Sequence, residues 1–358
     1  MTIPVLALTR YSRMGASSRV RFLQYIPDLK RHGFNVDVQS LFSDAYLIKL
    51  YSGEGRSALD VLKAMAERLK KLMSQSHYDL VWLQRELMPF IPFAIEHQLL
   101  KGRPLVVDFD DAHHLYYKNI SSTALRRMFS NKTDDLIMCA DAVVVGNETL
   151  ADYAARAGAK DISVVPSAVD VKKYQTLTQR ANRPDRLALG WIGTPVTAAQ
   201  SLPLISHTLR EFLADSGATC LLMGADPSVD YGFPAEHFGW SEASEVEFMT
   251  KIDIGLCPLE DTQWNRGKSG YKIIQYMAAG KPSVVSPVGI AAEIVSHKKT
   301  GLQCETELDW LSALRELGED QYLRSDMGAQ AQAKALMKYD VPIAAKKISE
   351  IFKSVMRK

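Results

Sequence analysis

Short apolar runs alternate along this chain with longer stretches of helical period, the pattern of strands and helices wound into a parallel sheet. In the first half the runs PVLALT (4–9), NVDVQSL (35–41), DLVWLQ (79–84), PLVVDFD (104–110), AVVVG (142–146) and ISVVPS (162–167) predict strands. Helices are predicted over SSRVRFLQYIPDLKRHG and ALDVLKAMAERLKKLMSQ. In the second of these, Leu62, Met65, Leu69, Leu72 and Met73 share one face, which is expected to turn toward the core.

An irregular, charged stretch from Asp170 to Arg186 interrupts the alternation. It restarts with LALGWIG (187–193), TCLLMG (219–224), DIGLCPL (253–259), PSVVSPVG (282–289) and GLQCE (301–305). The fold class expected is therefore α/β, with two doubly wound Rossmann-like domains, at 1–170 and 187–335. The amphipathic end, 336–358, is expected to pack back toward the N-terminal domain rather than lie on a membrane. Two such domains facing each other would leave a cleft at the carboxyl ends of both sheets, where ligands of open α/β sheets bind.

Length and composition agree. A chain of 358 residues is long for one core, and 47% hydrophobic with 23% charged residues is the composition of a globular protein. No apolar run approaches the roughly 20 residues of a membrane span, and the apolar start reads as a buried strand rather than a signal peptide. The four cysteines are scattered, without metal-ligand spacing, which suits a reducing cytoplasm. Residues 1–180 hold 24 Lys and Arg against 19 Asp and Glu, and the remainder 19 against 22. That asymmetry permits peripheral contact of the N-terminal domain with the inner, anionic face of a membrane. No nucleic-acid partner is expected.

Residues 266–289, RGKSGYKIIQYMAAGKPSVVSPVG, contain a GKS. In a P-loop the first glycine of GxxxxGK[ST] turns the chain directly out of a strand, but Thr262 stands there, and EDTQWNR separates the strand from the loop. The alternative is a different phosphate grip. Gly267, Ser269 and Gly270 let backbone approach a ligand, the following helix turns its positive end to an anion, and Arg266, Lys268 and Lys272 add charge. Lys268 and Lys272 are read as four apart on one helical face.

Several ordered matches resemble the GT-B fold glycosyltransferases, and within them the retaining group called family 4. MAAGKPSVVSPVGIAAEIVSHKKTGL is similar to the donor-binding segment of those enzymes, VVPSAVD (164–170) to their inter-domain stretch, and GWIG (190–193) to the strand that opens their donor domain. The resemblance implies donor contacts at Gly193, Thr194 and the 266–275 segment, including Gln275, with Gly15 in a glycine loop over the donor phosphates. Two departures stand out. The family's Glu-x7-Glu pair falls on Gly267 and Gln275, and its Arg and Lys after the opening strand are replaced by GTPVTAAQS. Arg266, Lys268 and Lys272 are read as substitutes for those cations.

In the first half, RYSRMGASSRVR follows the first strand, and its Ser17 or Ser18 suits a helix cap. Arg13, Ser17 and Arg19, with Arg85 and Asn147 at later strand ends, are expected to bind the acceptor. DFDDAHH (108–114) ends another strand. Its Asp-Phe-Asp is not read as a metal motif, since the donor of a GT-B enzyme lies on the other domain. One of its carboxylates is expected to pair with an arginine of the first loop. Asp110, Asp111 or His113 would then orient or deprotonate the acceptor hydroxyl. The implied activity is metal-independent, cofactor-free transfer from a nucleotide diphosphate sugar to a glycan or lipid-linked glycan, in the cytoplasm, in cell-surface polysaccharide synthesis. A sugar-nucleotide epimerase of the same fold, an NTP-binding protein and an inactive glycan-binding relative are the rival readings.

Overall fold

The computed structural model describes residues 2–51, 57–73, 77–178 and 186–357. The end of the second predicted helix (74–75) and part of the expected inter-domain stretch (179–185) lie outside the described residues. The chain divides into two compact units: Met1–Ser167 with Gly267–Ser269 and Val341–Lys358, and Ala168–Arg266 with Gly270–Asp340.

In the first unit, β1 (Ile3–Tyr11), β2 (Phe34–Phe42), β3 (Leu80–Gln84), β4 (Leu105–Phe109), β5 (Ala142–Val145) and β6 (Ile162–Val164) form one sheet in the order β2-β1-β3-β4-β5-β6. All neighbours are parallel. β3, β4 and β5 are buried at every position, which is why each reads as a continuous apolar run. The strand order reverses at β1, so the carboxyl ends of β1 and β3 flank the switch point. The helix Val341–Met356 belongs to this unit, with Phe352 set edge-on against Phe34 and Trp82.

In the second unit, β7 (Ala188–Ile192), β8 (Thr219–Met223), β9 (Glu236–Phe238), β10 (Ile254–Cys257), β11 (Ser283–Val285) and β12 (Gly301–Gln303) pair in parallel in the order β12-β11-β10-β7-β8-β9. Its switch point lies between β7 and β10. Each predicted strand is present. β9 was not predicted: it is a three-residue edge strand, largely exposed, with no apolar run to announce it.

Three local expectations are corrected. The stretch 17–33 is not one helix but Ala16–Arg21, a 3-10 turn Leu23–Tyr25, and Ile26–Arg31, restarted at Pro27, which has no amide to continue the ladder. Neither Ser17 nor Ser18 caps it. Gly15 holds that position, and Ser18 Oγ instead accepts from Tyr11 N at 3.1 Å and donates to Gln84 at 2.7 Å. The helix Ala58–Met73 turns a different face inward: Val61, Met65, Arg68 and Leu72 pack on the sheet, while Leu62 and Met73 are 62% and 85% exposed. The reason is Arg68. Its buried guanidinium donates to the carbonyls of Thr9, Gln39 and Leu87, three groups at strand ends and a loop that need a donor there.

Candidate functional site

The carboxyl ends of β1, β3 and β4 carry the polar cluster of the first unit. After β1, residues 12–15 are pinned by Asp44, whose Oδ1 accepts from Ser12 Oγ at 2.6 Å and Met14 N at 2.9 Å. At the end of β3, Gln84 Oε1 accepts from Arg10 N at 2.9 Å, which ties β3 to β1. Arg85 follows with a φ of +67°, a left-handed conformation that costs energy in a non-glycine residue. Its guanidinium donates to Ser17 Oγ at 3.0 Å, lies 3.3 Å from His113 Nδ1, and approaches Asp111 at 3.5 Å and Asp110 at 3.8 Å. Arg85 is thus the hub joining the loop after β1 to the loop after β4.

The expected pairing of a carboxylate with a first-loop arginine falls on Asp108 and Arg21, both fully buried, at 2.8 Å. Arg21 also donates to the Val165 carbonyl. Burial opposes its charge, but the Asp108 carboxylate outweighs that and holds Arg21 protonated above the ordinary arginine range. Asp108, with an oxygen already on Arg21, is a structural anchor of the DFDD segment. Burial pushes the Asp108 carboxyl up to about 6 despite Arg21, and burial with the neighbouring Asp110 charge pushes that of Asp111 up to about 6 as well, against the pull of Arg85 and Lys268; what sets Asp111 apart is that its side chain stays 27% exposed. Burial and the charge of Arg85 hold His113 well below the usual imidazole range, so its ring is neutral at pH 7. The His113 ring lies 3.7 Å from the Asp111 carboxylate, a geometry of the kind that proton transfer between a positioned acid and base requires.

Glu86, which follows Arg85 after β3, belongs to a charged network that no expectation included. It accepts from Arg10 at 3.0 Å and Tyr117 at 2.7 Å and pairs with Lys132 at 2.8 Å, and Lys132 also reaches Glu96 at 2.9 Å. Lys132 sits in an ordinary-looking helical stretch, and nothing in the sequence signals its burial.

The segment Gly267–Ser269 groups with the first unit. Asn147 caps the helix Glu148–Arg156, and its Nδ2 donates to the Lys268 carbonyl at 2.9 Å. A Cβ on Gly267 would stand 2.7 Å from that of Ala112, so the backbone there leaves no room for a side chain. Of the remaining acceptor candidates, Arg13 is exposed and Arg19 buried.

In the second unit, Gly193 and Thr194 follow β7, and Thr194 caps the helix Pro195–Ser201 in a capping box with Thr197. Gly270 opens the helix Tyr271–Ala278 at φ +64°, with no side-chain cap on the first turn. A Cβ there would come within 2.5 Å of Ile294, so space and conformation both demand glycine. Because the helix begins at Tyr271, Lys268 precedes it, and the expectation that Lys268 and Lys272 share a helical face is corrected. Lys272 Nζ sits 4.0 Å above the Trp191 ring. Arg266 is exposed and forms two short contacts to Asp261, at 2.6 and 2.7 Å. Gln275 is buried, and its amide donates to Tyr174 Oη at 2.9 Å.

This architecture, two parallel six-stranded sheets with polar clusters at their carboxyl ends, is the fold of the GT-B glycosyltransferases. Residues 193–320 match the model of the family Glycosyl transferases group 1. Among solved structures, the chain resembles a sucrose-phosphate synthase of Thermosynechococcus elongatus over 99% of both chains, with TM-score 0.71 and 16% identity. It resembles Anabaena HepE, solved with UDP-glucose, over 98% of this chain and 100% of that one, with TM-score 0.69 and 19% identity. WaaG, a glycosyltransferase involved in lipopolysaccharide biosynthesis, matches over 98% and 99% at TM-score 0.67 and 13% identity. No curated protein matches by sequence.

Proposed function

We propose that this protein is a retaining glycosyltransferase that moves a sugar from a nucleotide diphosphate sugar to a hydroxyl of a glycan or lipid-linked glycan in cell-surface polysaccharide synthesis. The observation that carries this reading is the family match over residues 193–320, which spans the segment from Gly193 to the helix after Gly289. In this reading the second unit takes the nucleotide and the first unit presents the acceptor. UDP-sugars are the first donors to try, since HepE was solved with UDP-glucose.

Departure of the nucleotide builds negative charge on the β-phosphate. The uncapped first turn of Tyr271–Ala278, with Lys268 and Lys272, would meet that charge without a divalent ion. Asp111, held in place by Arg85 and beside neutral His113, would take the proton of the acceptor hydroxyl. Gln275 and Arg266, engaged with Tyr174 and Asp261, would reach a donor only by giving up those partners.

The test is thermal stabilisation of the purified protein by UDP-, GDP- and dTDP-sugars, with and without EDTA, followed by NMR of the product anomer. Stabilisation that survives EDTA, and a product that keeps the donor configuration, is the expected result. Inversion, or loss of binding on chelation, overturns the corresponding part of the reading. Lys268→Ala is expected to weaken binding of the nucleotide diphosphate about 10- to 100-fold. It should also move the acid limb of the rate profile upward, because Lys268 restrains the rise of the Asp111 carboxyl. Unchanged affinity would remove Lys268 from the donor site.

A further inference from the structure

The segment from Arg85 to Phe90, which carries the Arg85 hub, has no strand or helix to hold its shape. Both of its ends are left-handed. Arg85 has φ +67° and Phe90 φ +56°, two of the three non-glycine residues with positive φ among the described residues. Such a residue costs of order 1–3 kcal/mol and persists only where its surroundings over-determine it. Here the surroundings are side chains reaching in from other elements. Met88 N donates to Glu96 Oε1 at 2.8 Å, Phe90 N donates to Tyr117 Oη at 3.2 Å, and the Met88 carbonyl accepts from Lys132 Nζ at 2.6 Å. Tyr117 Oη donates in turn to Glu86 at 2.7 Å.

Lys132 is the centre of this clamp. Its ammonium has three N–H groups, and three acceptors meet them: the Met88 carbonyl, Glu86 at 2.8 Å and Glu96 at 2.9 Å. Glu86 and Met88 belong to the strained segment itself. The position is otherwise a poor one for a lysine. Its side chain is only 2% exposed, and it opens the helix Lys132–Cys139, whose positive end disfavours a cation. The two carboxylates hold it there, and through it they fix the path of the chain just after Arg85.

We propose that Lys132 is a positioning residue for the acceptor chemistry: by clamping Glu86 and Met88 it holds Arg85 in the backbone conformation that carries its guanidinium to Ser17, Asp111 and His113. The step from clamp to guanidinium is short. Glu86 directly follows Arg85, so freeing residues 86–88 lets Arg85 relax to negative φ, which swings its side chain away from the loops after β1 and β4. The inference rests on the reading of the first unit as the acceptor side, and half of its test needs no sugar.

The variant to make is Lys132→Met with Glu96→Gln. Burial raises the Glu96 carboxyl to about 7 even beside Lys132, and glutamine copies its protonated form, so no charge is stranded there. Glu86 keeps Arg10 and Tyr117. Tyr117→Phe is the second variant, which loosens the same segment without removing a charge. NMR of the histidine rings, with the His113 signal assigned by its loss in His113→Gln, reads the placement of Arg85. In the wild type His113 should stay neutral between about pH 5 and 8, because burial and then Arg85 oppose its charge. In both variants it should titrate higher, toward its behaviour in Arg85→Ala, with Arg10 and His114, the other charges facing it, left in place. In transfer assays kcat should fall about 10- to 100-fold with donor affinity unchanged, the cost of misplacing a group near the chemistry. The acid limb should move upward, because Arg85 restrains the rise of the Asp111 carboxyl, while Asp110, Lys268 and Arg21 act on it as before. A lower melting temperature alone, with wild-type His113 titration, kcat and acid limb, would make the clamp purely structural and overturn the proposal. If the wild type transfers no sugar, the reading of the site fails, and the His113 titration still decides whether Lys132 places Arg85.

Discussion

Asp108→Ala is expected to destabilise the first unit by about 3–5 kcal/mol, enough to abolish a marginal fold, because it leaves the Arg21 guanidinium buried without a counter-charge. Arg21 and Asp108 have no exposed side-chain area, so water cannot replace the lost partner. The pair itself is not the source of the loss. Arg21→Met combined with Asp108→Leu removes both charges and should recover most of the stability, since an apolar pair of similar size needs no solvation. Urea unfolding of the three proteins, read as separate transitions for the two units, checks this. A loss below about 1 kcal/mol for the single variant would mean that the site relaxes to admit water.

Asp111→Asn is expected to lower turnover by about 10²- to 10⁴-fold while leaving donor affinity intact, the range for loss of a general base. The pH dependence separates this role from a structural one. With its carboxyl raised to about 6, Asp111 is ionised at pH 7, and the wild-type rate should fall as pH drops through about 6. The residual rate of the variant should show no such limb. Stability runs the other way. The folded value lies above the ordinary 3.8, so between about 4 and 6 the folded state holds a proton that the unfolded chain has released, and stability falls as pH rises across that window. At pH 7 the partly buried carboxylate works against the fold, and Asp111→Asn should raise the melting temperature. A variant that melts lower and keeps full turnover would take Asp111 out of the reaction.

The strands were legible because parallel strands buried on both faces must be apolar throughout, as β3, β4 and β5 are. What escaped the sequence were choices settled by tertiary contacts. The helix Ala58–Met73 has two apolar arcs, and which one turns inward depends on the carbonyls that Arg68 serves at three distant points of the chain. The buried network of Glu86, Lys132 and Glu96 joins residues from a strand end and two helices, with no motif at any of the three. For the site, the DFDDAHH cluster and Arg85 were visible as polar residues at strand ends. Their different settings were not, because nothing in the sequence shows that Asp108 is enclosed against Arg21 while Asp111 stays partly exposed beside Arg85 and His113.

One of these contacts also offers a signal that needs no label. Trp191 is fully buried with the Lys272 ammonium 4.0 Å over its ring, which places that cation to influence the indole emission. If a phosphate draws that cation away, the emission should change as the ligand binds, and Trp191→Phe should silence the change. The donor affinities needed above could then be read by titration in a cuvette.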